Sequence, residues 1–241
     1  MNQSNKLANI TTRNSTMNPI ILLHGALGSS SQLQPLEKSL TEKGRKVFFL
    51  NFSGHSGRSF SANGFGIETF ADDLLELLDE NKIKQADVFG YSMGGYVALW
   101  LAHRHGERFG KIVTLGTKFD WSPASAEKEI KKMNAEKIEE KIPAFARLLQ
   151  NRHAPNDWKD VLKKTAAMMR ALGENPLLTE EVLRKIKSPT QILLGDQDDM
   201  ADLNFSKQVS TWLPYGSFEQ LQNTPHPIEK VKLEVIERNL Q

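Results

Sequence analysis

The chain is 241 residues long, with 39% hydrophobic and 25% charged residues, a composition typical of a globular protein that can bury a sizeable core. Its formal net charge is only +2 and its lysines and arginines are dispersed, so we expect no nucleic-acid partner. It contains no cysteine, which excludes disulfides, thiolate zinc sites and cysteine nucleophiles.

The amino-terminal residues 1–18 are polar and lack an apolar stretch of signal-peptide length. The longest apolar runs, at 20–23 and 96–102, are far too short to span a bilayer. These features predict a soluble cytoplasmic protein without a membrane partner.

Strand-like and helix-like segments alternate along most of the chain. Short apolar runs predict buried parallel strands, and amphipathic stretches between them predict helices. The predicted strands are 19–23, 47–50, 86–89, 111–115, 189–194 and 217–221, with a weaker pattern at 7–12. The predicted helices around them are 33–43, 67–81, 96–103 and 228–239. This alternation predicts an α/β fold with a mostly parallel central sheet flanked by helices.

The pattern changes between residues 120 and 187. Strand signals disappear there, and prolines separate about four charged helical segments. A helical stretch of this length is too long for an ordinary connection between two strands. We therefore predict a core made of residues 1–119 and 188–241, interrupted by a helical cap at 120–187.

The sequence Gly90-Tyr91-Ser92-Met93-Gly94 lies directly between a predicted strand and a predicted helix. A Gly-x-Ser-x-Gly pattern in that position is typical of a nucleophile elbow, a sharp turn that exposes its serine in a strained conformation. Side chains at Gly90 or Gly94 would collide where strand and helix nearly touch. Ser92 would lie at a helix amino terminus, which favours developing negative charge. The alternative is a glycine-rich turn with a merely exposed serine.

Further reactive side chains follow other predicted strands. In an open parallel sheet, such groups gather at the carboxyl ends of the strands. An acidic loop at 196–199 follows one strand, His226 follows the last, and a turn that starts at His24 follows the first. Ser92 should therefore have acidic and basic partners at the same edge of the sheet.

His226 is the best candidate for a general base among the six histidines. Two others lie near a predicted helix carboxyl terminus, where imidazolium meets the helix dipole favourably and a surface position is expected. Two more are turn residues expected to bond their own loops, and one lies in the predicted cap. These five are, in that order, His103 and His105, His24 and His55, and His153.

Five motifs carry a family resemblance. They are His24-Gly25-x-x-Gly28-Ser29, Gly54-His55-x-Gly57-x-Ser59, Gly90-Tyr91-Ser92-Met93-Gly94-Gly95, Gly195-x-x-Asp198 and Pro225-His226-Pro227. With these motifs, and with serine, acid and histidine in that chain order, the sequence resembles the α/β-hydrolase superfamily. It is most similar to the small capped members: esterases, carbon–carbon bond hydrolases and menaquinone-pathway synthase-like enzymes. The resemblance covers nearly the whole chain outside the predicted cap.

The resemblance implies an α/β-hydrolase fold with a catalytic triad of Ser92, Asp198 and His226. It also implies an oxyanion hole formed by the backbone N–H groups of Ala26 and Met93.

The acid has a rival. Asp120 follows an earlier predicted strand, and some relatives place the acid there. Asp196, Asp199 and Asp202 are expected to be solvated loop carboxylates or helix caps.

One departure from the family pattern concerns the loop after the strand at 47–50. That loop usually begins with Asp, but here it begins with Asn51, and it has an apparent extra residue near Ser56. The family pattern therefore does not predict the geometry of this loop, but the triad assignment is unaffected.

These residues predict a serine hydrolase that cleaves a small ester or related carbonyl compound. His226 would take the proton of Ser92, Asp198 would fix the tautomer of His226, and the two N–H groups would stabilise an oxyanion before an acyl-enzyme forms. Relatives with the same triad suggest an alternative, cleavage of a carbon–carbon bond or elimination of pyruvate. A third hypothesis is a ligand-binding receptor of the same fold.

No HExxH, GxGxxG or Walker-A pattern occurs, so we expect neither metal nor nucleotide nor any other cofactor. The expected partner is a small-molecule substrate. Candidate pocket-lining residues are Leu27, Trp121, Phe145 and Met169. The alternative for the apolar cap residues is that they form the cap's own core.

Overall fold

A computed structural model of the chain describes residues 17–240. The weak strand pattern at 7–12 lies outside the described residues. The strands are β1 (Ile20–Leu23), β2 (Val47–Leu50), β3 (Ala86–Tyr91), β4 (Phe109–Leu115), β5 (Thr190–Gln197) and β6 (Gly216–Pro225). The helices are α1 (Gln34–Glu42), α2 (Ile67–Glu80), α3 (Met93–Arg104), α4 (Pro123–Ile130), α5 (Ala135–Lys141), α6 (Pro143–His153), α7 (Trp158–Glu174), α8 (Glu180–Leu183), α9 (Leu203–Trp212) and α10 (Leu233–Glu237).

The six strands form one parallel sheet in the order β2-β1-β3-β4-β5-β6. The predicted α/β architecture is therefore confirmed. After β1 the chain moves to one side of the sheet to form β2, and then to the other side to form β3. The strand order thus reverses between β1 and β3, and open α/β sheets bind ligands at such a point. The turns after these two strands contain Ala26 and Ser92.

Both faces of the sheet are covered, which explains why the strands are apolar runs without polar alternation. In β1, Ile20 and Leu22 belong to one buried cluster, whereas Ile21 and Leu23 belong to the other. The first cluster includes residues of α1 and the carboxyl-terminal segment, and the second includes residues of α2, α3 and α9. These two apolar layers fix the sheet between its helices.

Five helices, α4 to α8, connect β4 to β5, where the sequence predicted about four. Side-chain caps start several of them: Asn134, Asp157 and Thr179 accept from backbone N–H groups of α5, α7 and α8. A third apolar cluster lies within this segment and consists of Ile138, Ala146, Leu149, Trp158 and Leu162.

Strands β5 and β6 continue past their predicted ends because they pair again after an irregularity at Gly195. A Cβ atom on Gly195 would lie 1.9 Å from the carbonyl oxygen of Thr224, so only glycine permits this approach. The longer β6 leads directly to His226.

Two further differences concern helices. The sequence did not indicate α9, which begins where the Asp202 side chain accepts from the Phe205 N–H at 2.7 Å. The predicted helix 228–239 is instead a 3₁₀ turn at Ile228–Lys230 followed by the short α10. The backbone is extended at Val231, a β-branched residue with low helix propensity, which separates the two.

Candidate active site

Ser92 lies between β3 and α3 with φ 52° and ψ −117°. A positive φ is strained for a residue with a side chain, so the surrounding structure must hold it. The Ser92 N–H donates to the carbonyl oxygen of Leu115 at 2.8 Å, and the Ser92 carbonyl accepts from Thr117 Oγ1 at 2.9 Å. Leu115 is the last residue of the adjacent strand β4, and Thr117 lies two residues after it, so the end of β4 holds the turn in place.

The glycines around Ser92 are required by close packing. A Cβ on Gly90 would lie 2.5 Å from the Cα of Gly95, so the predicted clash between strand and helix is confirmed there. A Cβ on Gly94 would instead lie 2.6 Å from the carbonyl oxygen of Leu23 in β1. The helix therefore begins pressed against two strands, and Ser92 stands at their carboxyl edge.

His226 follows β6, and its Nδ1 lies 2.7 Å from Asp198 Oδ2. Asp198 Oδ1 accepts from the N–H groups of Met200 and Ala201, so both carboxylate oxygens are occupied and the carboxylate is held in place. A proton on Nδ1 that is donated to Asp198 leaves Nε2 as an acceptor. This is the arrangement that a histidine base requires.

The other candidate acids have different partners. Asp120 Oδ2 lies 2.8 Å from the ammonium of Lys118. Asp196 accepts from the Thr224 N–H, and this backbone hydrogen bond lowers the pKa of the Asp196 carboxyl. Asp202 caps the amino terminus of α9, and a helix cap was one of the two roles expected for it. Asp198 is the carboxylate that contacts His226.

Ser92 and His226 line the same cavity. Ala26 and Met93, the predicted oxyanion-hole residues, also line it. Much of the remaining wall is apolar, including the methionines Met168, Met169 and Met200. Methionine side chains adapt to ligands of varied shape.

The turn after β1 approaches Ser92 closely. A Cβ on Gly25 would lie 3.1 Å from Ser92 Cβ and 3.0 Å from the Tyr91 ring, so any side chain there would force its neighbours to shift. The turn places Ala26 at the cavity. Met93 is the first residue of α3, where backbone N–H groups have no partner within the helix.

Two residues of α6 hold this turn, and sequence reasoning missed them. Arg152 Nη1 donates to the Leu27 carbonyl oxygen at 2.9 Å, and His153 Nε2 lies 3.2 Å from the same oxygen. Leu27 has a φ of 56°, so the turn is strained at this residue. The only sequence signal was an adjacent Arg-His pair in a charged helix, which usually marks a solvated face.

His24, His55 and His153 form a buried cluster in which His55 lies between the other two rings, 5.1 Å from His24 and 5.7 Å from His153. His24 bonds Gly25 and His55 bonds Ser53, within their own loops as predicted. Each outer ring also accepts an N–H at its second nitrogen, from Phe52 for His24 and from Ser56 for His153.

All three imidazoles are therefore held neutral. Burial lowers the pKa of His24 and that of His153 to about 4, and it lowers the pKa of His55 well below the ordinary value. In the unfolded chain these groups would titrate near 6.5. As the pH falls from 6.5 towards 4, only the unfolded chain takes up these protons, so the cluster stabilises the fold above this window and destabilises it progressively within it.

We expect the free energy of unfolding to fall between pH 7 and pH 5, with about 2 kcal/mol of the fall coming from His24 alone. Urea denaturation at the two pH values measures it. His153→Gln, which cannot titrate, should show a fall smaller by about 1–2 kcal/mol. His105→Gln, at a more exposed site, is the matched control and should behave as the wild type. An equal fall in His153→Gln and wild type would contradict this assignment.

The departure at Asn51 has a structural role. Asn51 Oδ1 accepts from the Ser30 N–H at 2.7 Å, which ties the loop after β2 to the segment after β1. Ser56, near the apparent extra residue, has a φ of 49° and directs its N–H to His153 Nδ1 at 3.2 Å. The loop after β2 is thus tied both to the segment after β1 and to α6.

The structure places the four predicted pocket residues in two different surroundings. Trp121 and Met169 line the cavity. Leu27, in the turn after β1, and Phe145, in α6, instead pack against the apolar cluster of α5, α6 and α7. For Phe145 the reason is that the apolar stripe of α6 faces its neighbouring helices. Sequence periodicity identifies an apolar face but not the partner that covers it.

Between residues 17 and 240, His, Asp and Glu side chains form no group of three or more that could hold a metal ion. Over the same residues, no helix is both long enough and apolar enough to cross a membrane.

A family model described as alpha/beta hydrolase fold matches residues 18–180. The chain belongs to the α/β-hydrolase family. The match includes Ser92 and ends before Asp198 and His226.

Similar proteins support this family assignment. AB hydrolase superfamily protein YisY of Bacillus subtilis is 24% identical over 86% of this chain and 84% of its own length. The sn-1-specific diacylglycerol lipase ABHD11 of Danio rerio is 36% identical, but over only 35% of this chain and 26% of that protein. Among solved structures, the esterase EaEST of Exiguobacterium antarcticum has a TM-score of 0.76 at 18% identity, over 92% of this chain and 90% of that one, which establishes a shared fold.

Proposed function

We propose that the protein is a serine hydrolase that cleaves small esters through an acyl-enzyme. Ser92 is the nucleophile, His226 the general base, and Asp198 the acid that orients it. The observation that carries the proposal is that Ser92 and the Asp198–His226 pair meet at one cavity.

The chemistry follows from this arrangement. With the Nδ1 proton donated to Asp198, His226 Nε2 accepts the proton of the Ser92 hydroxyl as Ser92 Oγ attacks the ester carbonyl carbon. The tetrahedral intermediate collapses, and the leaving alcohol takes the proton from Nε2. Water then attacks the acyl-Ser92 ester with the same proton transfers, which releases the acid and restores the serine.

The N–H groups of Ala26 and Met93 stabilise the oxyanion of both tetrahedral intermediates. Their position at the cavity and the free N–H expected at the first residue of α3 support this role. Arg152 and His153 act as positioning residues, because they hold the Leu27 carbonyl next to Ala26.

Replacing Arg152 with methionine is expected to lower kcat about tenfold with a smaller change in KM, because the strained turn loses a charged hydrogen-bond donor. Steady-state ester hydrolysis measures it. Arg147→Met, at an exposed position of the same helix, is the matched control and should retain the wild-type kcat. An effect on KM alone would show that Arg152 acts on substrate binding rather than on the turn.

Residues 120–187 form the cap in this proposal. Trp121, Met168 and Met169 come from this segment and line the cavity together with Ser92 of the core. The largely apolar wall fits a small, mostly apolar ester. The names of two similar proteins, a lipase and an esterase, agree with ester hydrolysis.

The test is turnover of a short-chain nitrophenyl ester by the wild-type protein, with progressive inactivation by a fluorophosphonate that reacts with activated serines. We expect both. Inactivation without turnover would favour carbon–carbon bond cleavage or elimination on the same residues. A folded protein that shows neither would favour the receptor hypothesis.

A further inference from the structure

One wall of the cavity carries polar side chains that the proposed ester chemistry does not use. Lys118, Trp121 and Glu129 line the cavity, and all three come from the segment that follows β4. Ser92 and His226 line the same cavity, so a single bound substrate can contact both this wall and the proposed nucleophile.

Glu129 is the most unusual of the three. Its side chain is only 1% exposed, and Oε2 pairs with the half-exposed ammonium of Lys132 at 2.9 Å. The second oxygen, Oε1, is buried and has no hydrogen-bond partner among residues 17–240. A buried acceptor without a partner costs about 1–3 kcal/mol, so such atoms usually have a ligand or water to complete them.

Trp121 offers the complementary group. Its indole Nε1, which can only donate, is also buried and without a partner in the described part of the chain. Lys118 Nζ lies 5.5 Å from the Trp121 ring centroid and so stacks on its face. Glu129 therefore contributes one unused acceptor to the cavity lining, and Trp121 one unused donor. The second oxygen of Asp120, Oδ1, is also buried without a partner among the described residues, but Asp120 does not line the cavity.

The formal charges on this wall are already paired. Lys118 lies 2.8 Å from Asp120, and Glu129 lies 2.9 Å from Lys132. A charged ligand group would add an uncompensated charge to a buried site, which is strongly unfavourable. A hydroxyl group is neutral, and it both donates and accepts a hydrogen bond.

We propose that Glu129 and Trp121 recognise a hydroxyl group of the substrate, which donates to Glu129 Oε1 and accepts from Trp121 Nε1. The substrates are then neutral esters with a hydroxyl on an otherwise apolar acyl or alcohol chain. This inference rests on the proposed esterase function and names its substrate class.

Two pairs of esters of matched shape test it with the wild-type protein. Nitrophenyl 6-hydroxyhexanoate against nitrophenyl heptanoate tests the acyl side, and 2-hydroxyethyl butanoate against propyl butanoate tests the alcohol side. In one pair we expect kcat/KM to favour the hydroxyl ester by about 100-fold, because a site built to bond a hydroxyl rejects the analogue that lacks it. Nitrophenyl 6-aminohexanoate, whose ammonium is charged, should be a poorer substrate than the hydroxy ester.

Variants assign the preference to the wall. Glu129→Met should reduce the ratio of the two kcat/KM values to about tenfold or less, and Trp121→Phe, which keeps the ring but removes the N–H, should reduce it about fivefold. Glu127→Met, at an exposed position of the same helix, is the matched control and should keep the wild-type ratio. Because the readout is a ratio within one variant, a partly unfolded sample does not distort it.

The outcomes separate the two proposals. Hydrolysis of both members of each pair at equal rates, a preference for the ammonium ester, or a ratio unchanged in Glu129→Met would overturn the hydroxyl site while ester hydrolysis stands. Absence of hydrolysis of every ester by the folded wild type would overturn the proposed function itself.

Discussion

Replacing Ser92 with alanine is expected to lower kcat for a short-chain nitrophenyl ester by about 10⁵-fold. The reason is that no other group at the cavity can form the acyl-enzyme in the position that His226 activates. Hydrolysis under saturating substrate, with purified wild type and variant at equal concentration, measures the effect.

The control is a comparison of the thermal stability of Ser92→Ala and wild type. Position 92 has a positive φ, which strains alanine as it strains serine, so the substitution should not change the backbone strain. We expect similar melting temperatures for the two proteins. A well-folded Ser92→Ala protein that retains more than about a tenth of the wild-type kcat would contradict a serine nucleophile.

Replacing Asp198 with asparagine is expected to lower kcat by about 10⁴-fold, with a much smaller effect on KM. Asparagine keeps the shape of the side chain but can offer its NH₂ to His226 Nδ1, which favours the wrong tautomer and leaves the imidazolium without a negative charge beside it.

Asp120→Asn is the matched control, since Asp120 pairs with Lys118 instead of His226. Its kcat should stay within about tenfold of the wild type. The double variant with Ser92→Ala and Asp198→Asn should be no slower than Ser92→Ala alone, because the residues of a triad act as one unit. A large loss in Asp120→Asn with little effect of Asp198→Asn would reverse the assignment of the acid.

Local patterns in the sequence were sufficient for the parts of this molecule that depend on near neighbours. The strands are short apolar runs because both faces of the sheet are buried, and the elbow needs glycine at position 90 because Gly95 lies in the way of any side chain. The placement of Asp198 and His226 at neighbouring strand ends follows from the parallel topology, in which β5 and β6 are adjacent.

The parts that the sequence did not indicate depend on contacts between distant segments. Arg152 and His153 stand in a charged helical segment, and only the packing of α6 against the turn after β1 brings them to Leu27. Phe145 shares that helix but packs among its helical neighbours, away from the cavity. Periodicity does not distinguish these outcomes, because it specifies which side of a helix is buried but not against what.

Glu129 shows the same limit more sharply. In the sequence it is one charge in a charged helix, for which a solvated position is the usual expectation. In the fold it is almost wholly buried and lines the cavity. Its burial results from the way α4 packs on α7, which no local pattern expresses.

The nucleophile is identified directly by the site of covalent labelling with a fluorophosphonate, located by mass spectrometry of the digested protein. We expect one adduct per chain, on the peptide that contains Ser92, and strongly reduced labelling in His226→Ala because the serine is no longer activated. An adduct on any other residue, or equal labelling of Ser92 without His226, would contradict it.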